Sequence, residues 1–388
     1  MTESAVAYTD AQDGETAARE LARKIAAALP GEPPDALIVF ASPRYDPTVF
    51  LRGLHDGCKP KLLVGASSAG EFTSERHGEG LACALALRST EIRFSAGLGR
   101  GIGADRKTVA SQIVSGFQGL GSSNHVYRSA LVMTDALAGH ADDLVDQLTL
   151  ATAGKYQFFG GGAGDDAQFR RTQVFFGTEA LSDAAVALEI LSEKPVGVGV
   201  GHGWEPASPP LRVTEAEGMK VKSLNGLPAV EIFEEHAART GQAFDRKAPL
   251  GFFLHNIFGI DTGSGYRLRV PLSIGDDGSI ACASEIPAGS TVHVMRANAN
   301  SAIEAAARAT KAAMAGMGGH PPQVALFFDC VATRLRMGDV FGLELDSLAR
   351  GLLGASFMGC NTHGQIARAP GQFGGFHNCT AVVCVLPA

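Results

Sequence analysis

The chain has 388 residues, with 40 acidic and 33 basic side chains and a net charge of −7. Apolar residues make up 45% and charged residues 19%, which excludes a disordered chain and leaves room for roughly two or three packed cores. Lysine and arginine are scattered, so no basic stripe points to nucleic acid. No apolar run reaches the ~18 residues of a membrane span. The start, MTESAVAYTDAQDGETAARE, has neither a basic opening nor an apolar stretch, so no export signal is expected. Seven cysteines with no C-x-x-C pair read as free thiols, six of them in or beside apolar runs and Cys58 in a loop-like DGCKP. The expected location is the cytoplasm.

Residues 1–30 read as a helical lead-in. ALIVFASPRYDP (36–47) follows as an apolar strand ending in Ser/Pro. A helix around Phe50–Leu54 comes next, then the strand and loop LLVGASSAGEF (62–72) and the strand GLACALALR (80–88). IRFSAGLGRGIG (92–103) is a strand of small residues. The order then recurs. ALVMTDALAG (130–139) is a strand, ADDLVDQLTLATAG a helix stopped near Gly154, YQFFGGGAGDD (156–166) a strand with a glycine loop, and DAAVALEIL (183–191) a strand. PVGVGVGHGW (195–204) occupies the place of 92–103. The prolines of HGWEPASPPLR (202–212) mark a domain boundary, since they cannot continue a central strand.

Beyond it, NGLPAVEIFEEHAART predicts a helix with Pro228 near its first turn and Gly241 past its end. RLRVPLSIGDDGSIACASEI (267–286) predicts two strands joined at GDDGS. SAIEAAARATKAAMAGM (301–317) predicts a helix opened by a capping box from Ser301 and Glu304. A third copy of the recurring order closes the chain: VALFFDCVATR (324–334), a helix near Leu343–Leu353, ASFMGCNTHGQI (355–366) and CTAVVCVL (379–386). The fold class is therefore α/β, with layered mixed sheets flanked by helices and built from repeated strand-helix-strand-strand units.

LLVGASSAGEF, FFGGGAGDDAQFRRTQVFFG, GWEPASPPLRVTEAEGMKVKSLNGLPAVEIF and FHNCTAVVCVL resemble, in order, the FIST domain. This is a sensory domain with N-terminal and C-terminal parts, and the likeness runs from about Ala36 to Leu386. Applied here, it implies a FIST N domain over 31–205 and a FIST C domain over 206–388. It implies a bacterial, free-standing signal-transduction protein that binds a small ligand, an amino acid being the expectation, and signals through a separate protein such as a histidine kinase. It also implies an alternative, a haem-based nitric-oxide sensor regulating such a kinase. DCVATRLRMG (329–338) and FHN keep the Cys, Arg and His-Asn that the likeness leads one to expect. GCNTHGQ departs from it, with Gln365 where the family pattern more often has Glu.

The glycine loops suit a zwitterion: their amides would meet a carboxylate and an acidic side chain an ammonium. Glu71, Asp165 and Asp166 are the acidic candidates, and Arg334 or Arg269 the carboxylate clamp. Ser67, Ser68, Asn361, His363, Gln365, His377 and Asn378 complete the ligand-binding set. GGGAGDD lacks the Lys-Ser/Thr of a P-loop, and its two aspartates would repel phosphate. Cys360, His363, His377 and Cys379 spell C-x2-H-x13-H-x-C, but no second short pair resembles a zinc ribbon, so no metal is assigned. No cofactor is assigned either; for haem, His202 and His363 are the axial candidates. Ser67 and Ser68 lack G-x-S-x-G. A nucleophile pair of Cys330 or Cys360 with His377 is the enzymatic alternative to a non-enzymatic sensor.

Overall fold

The computed structural model describes residues 1–121, 125–298, 300–369 and 374–388. Three six-stranded mixed sheets share one topology. In each, a lead strand lies antiparallel to a return strand, the return strand antiparallel to an inner strand, and the inner strand parallel to a loop strand. The first unit uses Thr2–Thr9, Ala82–Ser89, Ala36–Ala41 and Leu62–Ser67. The second uses Ile92–Arg100, Ala184–Ser192, Tyr127–Thr134 and Gln157–Gly162. The third uses Gly197–Gly201, Ala381–Pro387, Pro322–Cys330 and Ser356–Thr362.

After its glycine loop, each unit sends a short strand to the loop strand of a neighbour. Glu71–Thr73 of the first pairs with the third, placing Glu71 opposite Cys360. Gln365–Arg368 of the third pairs with the second, Gln365 opposite Gly161. Val174–Phe176 of the second pairs with the first, Val174 opposite Ala66. The exchange closes a ring of three and brings the three glycine loops together.

Each sheet buries both faces, so its inner strands carry near-continuous apolar runs. One face of every sheet joins a common core that includes Ile38, Phe40, Leu131, Phe159, Leu188, Leu326, Phe328 and Val382. There Phe328 meets Phe40 at 5.6 Å and Phe159 at 6.4 Å between ring centroids. The other face is covered by that unit's helices: Gly14–Ala28 and Pro47–Cys58, Arg106–Ser115 and Ala141–Ala151, Ser301–Gly316 and Gly342–Gly351. Asp13, Asp46 and Asp105 cap three of these helices by accepting from first-turn N–H groups.

One glycine per unit makes this layering feasible. A Cβ at Gly65, Gly160 or Gly359 would lie 1.8, 2.1 or 1.8 Å from the carbonyl oxygen of Val39, Val132 or Phe327. These three positions fix the alignment of the units. Glu71 and Gln365 then occupy equivalent places, as do Ser68 and Thr362.

Four local expectations change. Residues 1–30 are a strand as well as a helix, and the strand Thr2–Thr9 is an integral part of the first sheet. Its alternating apolar positions face the helix Gly14–Ala28 on one side and the shared core on the other. Cys58 is the last residue of a helix and is buried, not in a loop. Ser301 makes no capping box: Asn300 is the cap position, and Ser301 Oγ instead accepts from Asn298 N–H. The composition change at 202–212 marks the start of an insertion. A nine-stranded sheet spanning 205–296 separates the third lead strand from its helix Ser301–Gly316. The third unit is therefore split, and its lead strand Gly197–Gly201 pairs with the chain's last strand.

Candidate functional site

The three loops Ser67–Glu71, Gly162–Asp166 and Asn361–Gln365 are stitched to one another through the backbone. Ala69 N–H donates to Asn361 O and Asn361 N–H to Gly70 O; Gly164 N–H donates to Ser67 O, and Gly162 N–H to Gly364 O. Five side chains gather where the first and third loops meet. Asn361 Oδ1 and Arg334 Nε crowd the same face of Gly70, 2.8 and 3.2 Å from where a Cβ would stand. Asp166 accepts from Ser42 Oγ at 2.7 Å. Arg334 pairs with Glu79 through Nη1, and only Glu79 is well exposed.

This cluster is rich in buried polar atoms that lack a hydrogen-bond partner among the described residues. They are Nε and Nη2 of Arg334, both amide atoms of Asn361, and Oδ1 of Asp166. Buried polar groups are normally paired. Burial also raises the Asp166 carboxyl above its ordinary range. The Asp166 segment is held in an uncommon conformation: Asp166, Ala167 and Phe169 have φ of 52, 60 and 53°. Asp165 holds it there by accepting from the N–H groups of Phe169, Arg170 and Arg171. Left-handed residues other than glycine cost of order 1 kcal/mol or more each.

The remaining expected residues divide. Ser67 is closed on the backbone of Gln173, which donates to its hydroxyl at 3.0 Å. Glu71 is fully buried, hydrogen-bonded to Ser68 Oγ at 2.5 Å and accepting from Leu81 N–H at 2.9 Å. Its carboxyl is raised to about 8 by burial, so it carries its proton at neutral pH. Gln365 does the same work in the third unit: Nε2 donates to Thr362 Oγ1 at 2.8 Å and Oε1 accepts from Thr380 N–H at 3.2 Å. In the second unit, Asp135 accepts from the equivalent Asp183 N–H. Gln365 thus stands where the first unit has the neutral Glu71, and it latches the third loop to the return strand.

His363 lies beside the second loop, buried, with Nε2 3.5 Å from Asp165 Oδ1 and its ring stacked on Phe169 at 4.5 Å. Burial lowers it to about 4, so it is neutral. A haem iron would need a ring nitrogen aimed into an apolar slot. His363 is instead sandwiched against Phe169 and a carboxylate. His202 accepts from Trp204 N–H through Nδ1 and also hydrogen-bonds to the backbone of Tyr266. Neither side chain, as placed, fits an axial ligand. Among the described residues no group of three His, Cys, Asp or Glu is placed to hold a metal ion. Cys360 and Cys379 are both buried in apolar clusters.

Arg269 is outside the cluster. It sits on the inserted sheet, 1% exposed, paired with Asp142 of the second unit and donating to the carbonyls of Phe376, Leu268 and Glu285. It docks the insertion on the ring. Asn378 lies near Gly364 and accepts from Val270 N–H, and His377 is buried in the strand facing Gln365. Ser42, Glu79 and Phe169 were not foreseen. Ser42 had one signal, a hydroxyl at the mouth of an apolar strand; Glu79 and Phe169 had none.

Comparison with known proteins gives the following. The FIST N domain matches residues 35–227 and the FIST C domain residues 229–368. Among solved structures, cyanuric acid hydrolase from A. caulinodans aligns over 99% of both chains at 8% identity with a TM-score of 0.37, too low to carry an argument. Curated proteins yield no match. The two domain matches together span most of the chain, and the chain belongs to the FIST family, whose domains are associated with signal-transduction sensing.

Proposed function

We propose that this protein is a non-enzymatic sensor of a small zwitterion, an amino acid, held at the junction of the first and third glycine loops. The carrying observation is the Arg334 guanidinium, whose Nε and Nη2 have no partner among the described residues while Nη1 is anchored by Glu79. Those two nitrogens form one edge of the fork that takes a carboxylate in a bidentate grip. Asp166 Oδ1 and Asn361 Oδ1 supply acceptors for the ammonium. Glu71 is not that partner, because it is neutral and both its oxygens are engaged. An ammonium beside Asp166 would favour its ionised form, reversing the effect of burial.

The reading includes an output. The short helix Val331–Met337 carries Arg334 and exposed Leu335, and leads into a stretch with exposed Val340, Leu343 and Leu353. A ligand that favours one position of that helix biases the population a partner protein meets. The partner is a separate signalling protein of the histidine-kinase kind and the source is bacterial, both on the resemblance alone; the cytoplasmic setting rests on the seven free cysteines.

A thermal-shift panel tests the ligand class. Each common α-amino acid is run against its carboxamide, which lacks the carboxylate. A true ligand at a hundredfold excess over its Kd stabilises by about 2.7 kcal/mol, and its carboxamide should not. If no amino acid raises the midpoint at ten millimolar, or carboxamides do so equally, the ligand class is wrong.

A further inference from the structure

Asp329, Glu344 and Arg336 line a small cavity of the third unit. Asp329 lies near the end of the strand Pro322–Cys330, Arg336 on the short helix Val331–Met337, and Glu344 in the first turn of the helix Gly342–Gly351. Trp204 and Ser301, from either end of the insertion, line the same cavity, as does Thr333. The space is about 10 Å³, room for about one water.

Both carboxyls are shut off from solvent, Asp329 being 1% and Glu344 0% exposed. Asp329 Oδ2 and both Glu344 oxygens have no hydrogen-bond partner among the described residues. Arg336 does not relieve them. Its Nη1 donates to Asn298 O at 3.2 Å, its guanidinium lies 5.3 Å from the Trp204 ring centroid, and its Nε has no partner among the described residues. Buried carboxyl oxygens are costly unless satisfied. One water has two hydrogens to donate, too few for these three oxygens. A cation can meet all three at once.

We propose that this cavity binds one sodium ion, held by Asp329 and Glu344. Charge selects a monovalent ion. The charged side chains of the lining are the two carboxylates and Arg336, which leaves one negative charge uncancelled. A single positive charge cancels it, and a divalent ion would reverse the excess in a buried place. Chemistry selects oxygen ligands. Thr333 and Ser301 bring hydroxyls to the lining, and Ser301 Oγ, which accepts from Asn298 N–H, keeps a lone pair. No third His, Cys, Asp or Glu among the described residues completes a transition-metal set. Size selects sodium. Magnesium keeps several waters, for which there is no room, and potassium is the larger alkali ion. Burial pushes both carboxyls well above their ordinary range; a bound cation opposes this by favouring the ionised forms.

The ion fastens both ends of the insertion to the third unit and holds the helix that carries Arg334. Asp329 is also the register partner of Asn361, so the cavity and the loop cluster share one strand pair. The inference concerns the cavity itself and stands whether or not Arg334 holds a ligand.

Trp204 is the chain's one tryptophan, so its fluorescence reports on the cavity without any substitution. The full-length protein, freed of alkali salts, is titrated with sodium chloride against choline chloride at constant ionic strength. The expected result is a saturable change in Trp204 emission with sodium, together with a thermal midpoint above that of the choline control. Potassium should act weakly. Glu344→Gln and Asp329→Asn keep the side-chain shape and remove a charge. Each should weaken the sodium response roughly tenfold or more, with a midpoint in choline close to that of the wild type. The wild-type titration needs no variant to fold. Equal curves in sodium and choline would overturn the proposal, a water or a proton shared by the two carboxyls then filling the need. A sodium effect on the midpoint that leaves Trp204 emission unchanged would place the ion elsewhere and overturn it too. A response to potassium as strong as that to sodium would overturn the choice of ion.

Discussion

Glu71→Gln is a substitution whose effect on stability should change with pH. Glu71 is fully buried, its carboxyl raised from 4.5 to about 8 by burial, with Ser68 and Leu81 N–H acting in the opposite direction. The unfolded chain releases this proton near pH 4.5; the folded chain keeps it until about pH 8. Between those values the folded state binds more protons, so the wild type loses stability as pH rises. The loss is about 1.4 kcal/mol per pH unit, reaching of order 5 kcal/mol by pH 8 and nothing below pH 4.5. Glutamine has no proton to hold, and Gln365 already makes the equivalent two hydrogen bonds. Glu71→Gln should therefore match the wild type near pH 5 and become progressively more stable toward pH 8. The measurement is a urea midpoint for both proteins at each pH, where contributions common to both cancel. A variant destabilised equally at every pH would show that Glu71 is ionised in the fold, and the reasoning would fail.

Other outcomes follow from the same contacts. Asp142→Ala strands the Arg269 cation in the interior and should cost about 3–5 kcal/mol, read as a lowered urea midpoint. Phe328→Ala removes the ring that joins all three sheets and should cost about 3–5 kcal/mol by the same readout. Gly359→Ala places a methyl 1.8 Å from Phe327 O; the sheet must shift, a loss of at least about 3 kcal/mol that shows as poor soluble yield. An absorption spectrum of protein purified from haem-replete cells should lack a Soret band; a band lost on His363→Ala would refute the placement argued for that side chain.

The three units were legible because their signals are local. Gly65, Gly160 and Gly359 sit at matching points of matching apolar runs, since each strand must pass close to a neighbour's carbonyl. The strand exchange was not legible. Glu71–Thr73 is three residues long, and its partner Met358–Cys360 lies at the other end of the chain. That the sheet beyond 202–212 is an insertion was not legible either, because Gly197–Gly201 shows its partner, the last strand, only in three dimensions. Among the candidate residues, Asp166, Arg334 and Asn361 do converge, as loops at strand ends should. Arg269 does not: an arginine looks the same in sequence whether it clamps a ligand or pairs with Asp142. Gln365 departs visibly from the family pattern, yet its role depends on Thr380, which only folding brings beside it.

The central claim is that the Arg334 edge and Asp166 receive the ligand. The most direct measurement runs the amino-acid panel on wild type, Arg334→Met and Asp166→Asn side by side by thermal shift. The account predicts that an amino acid raising the wild-type midpoint leaves both variants unmoved, while their unliganded midpoints stay close to wild type. An equal rise in all three proteins would contradict it.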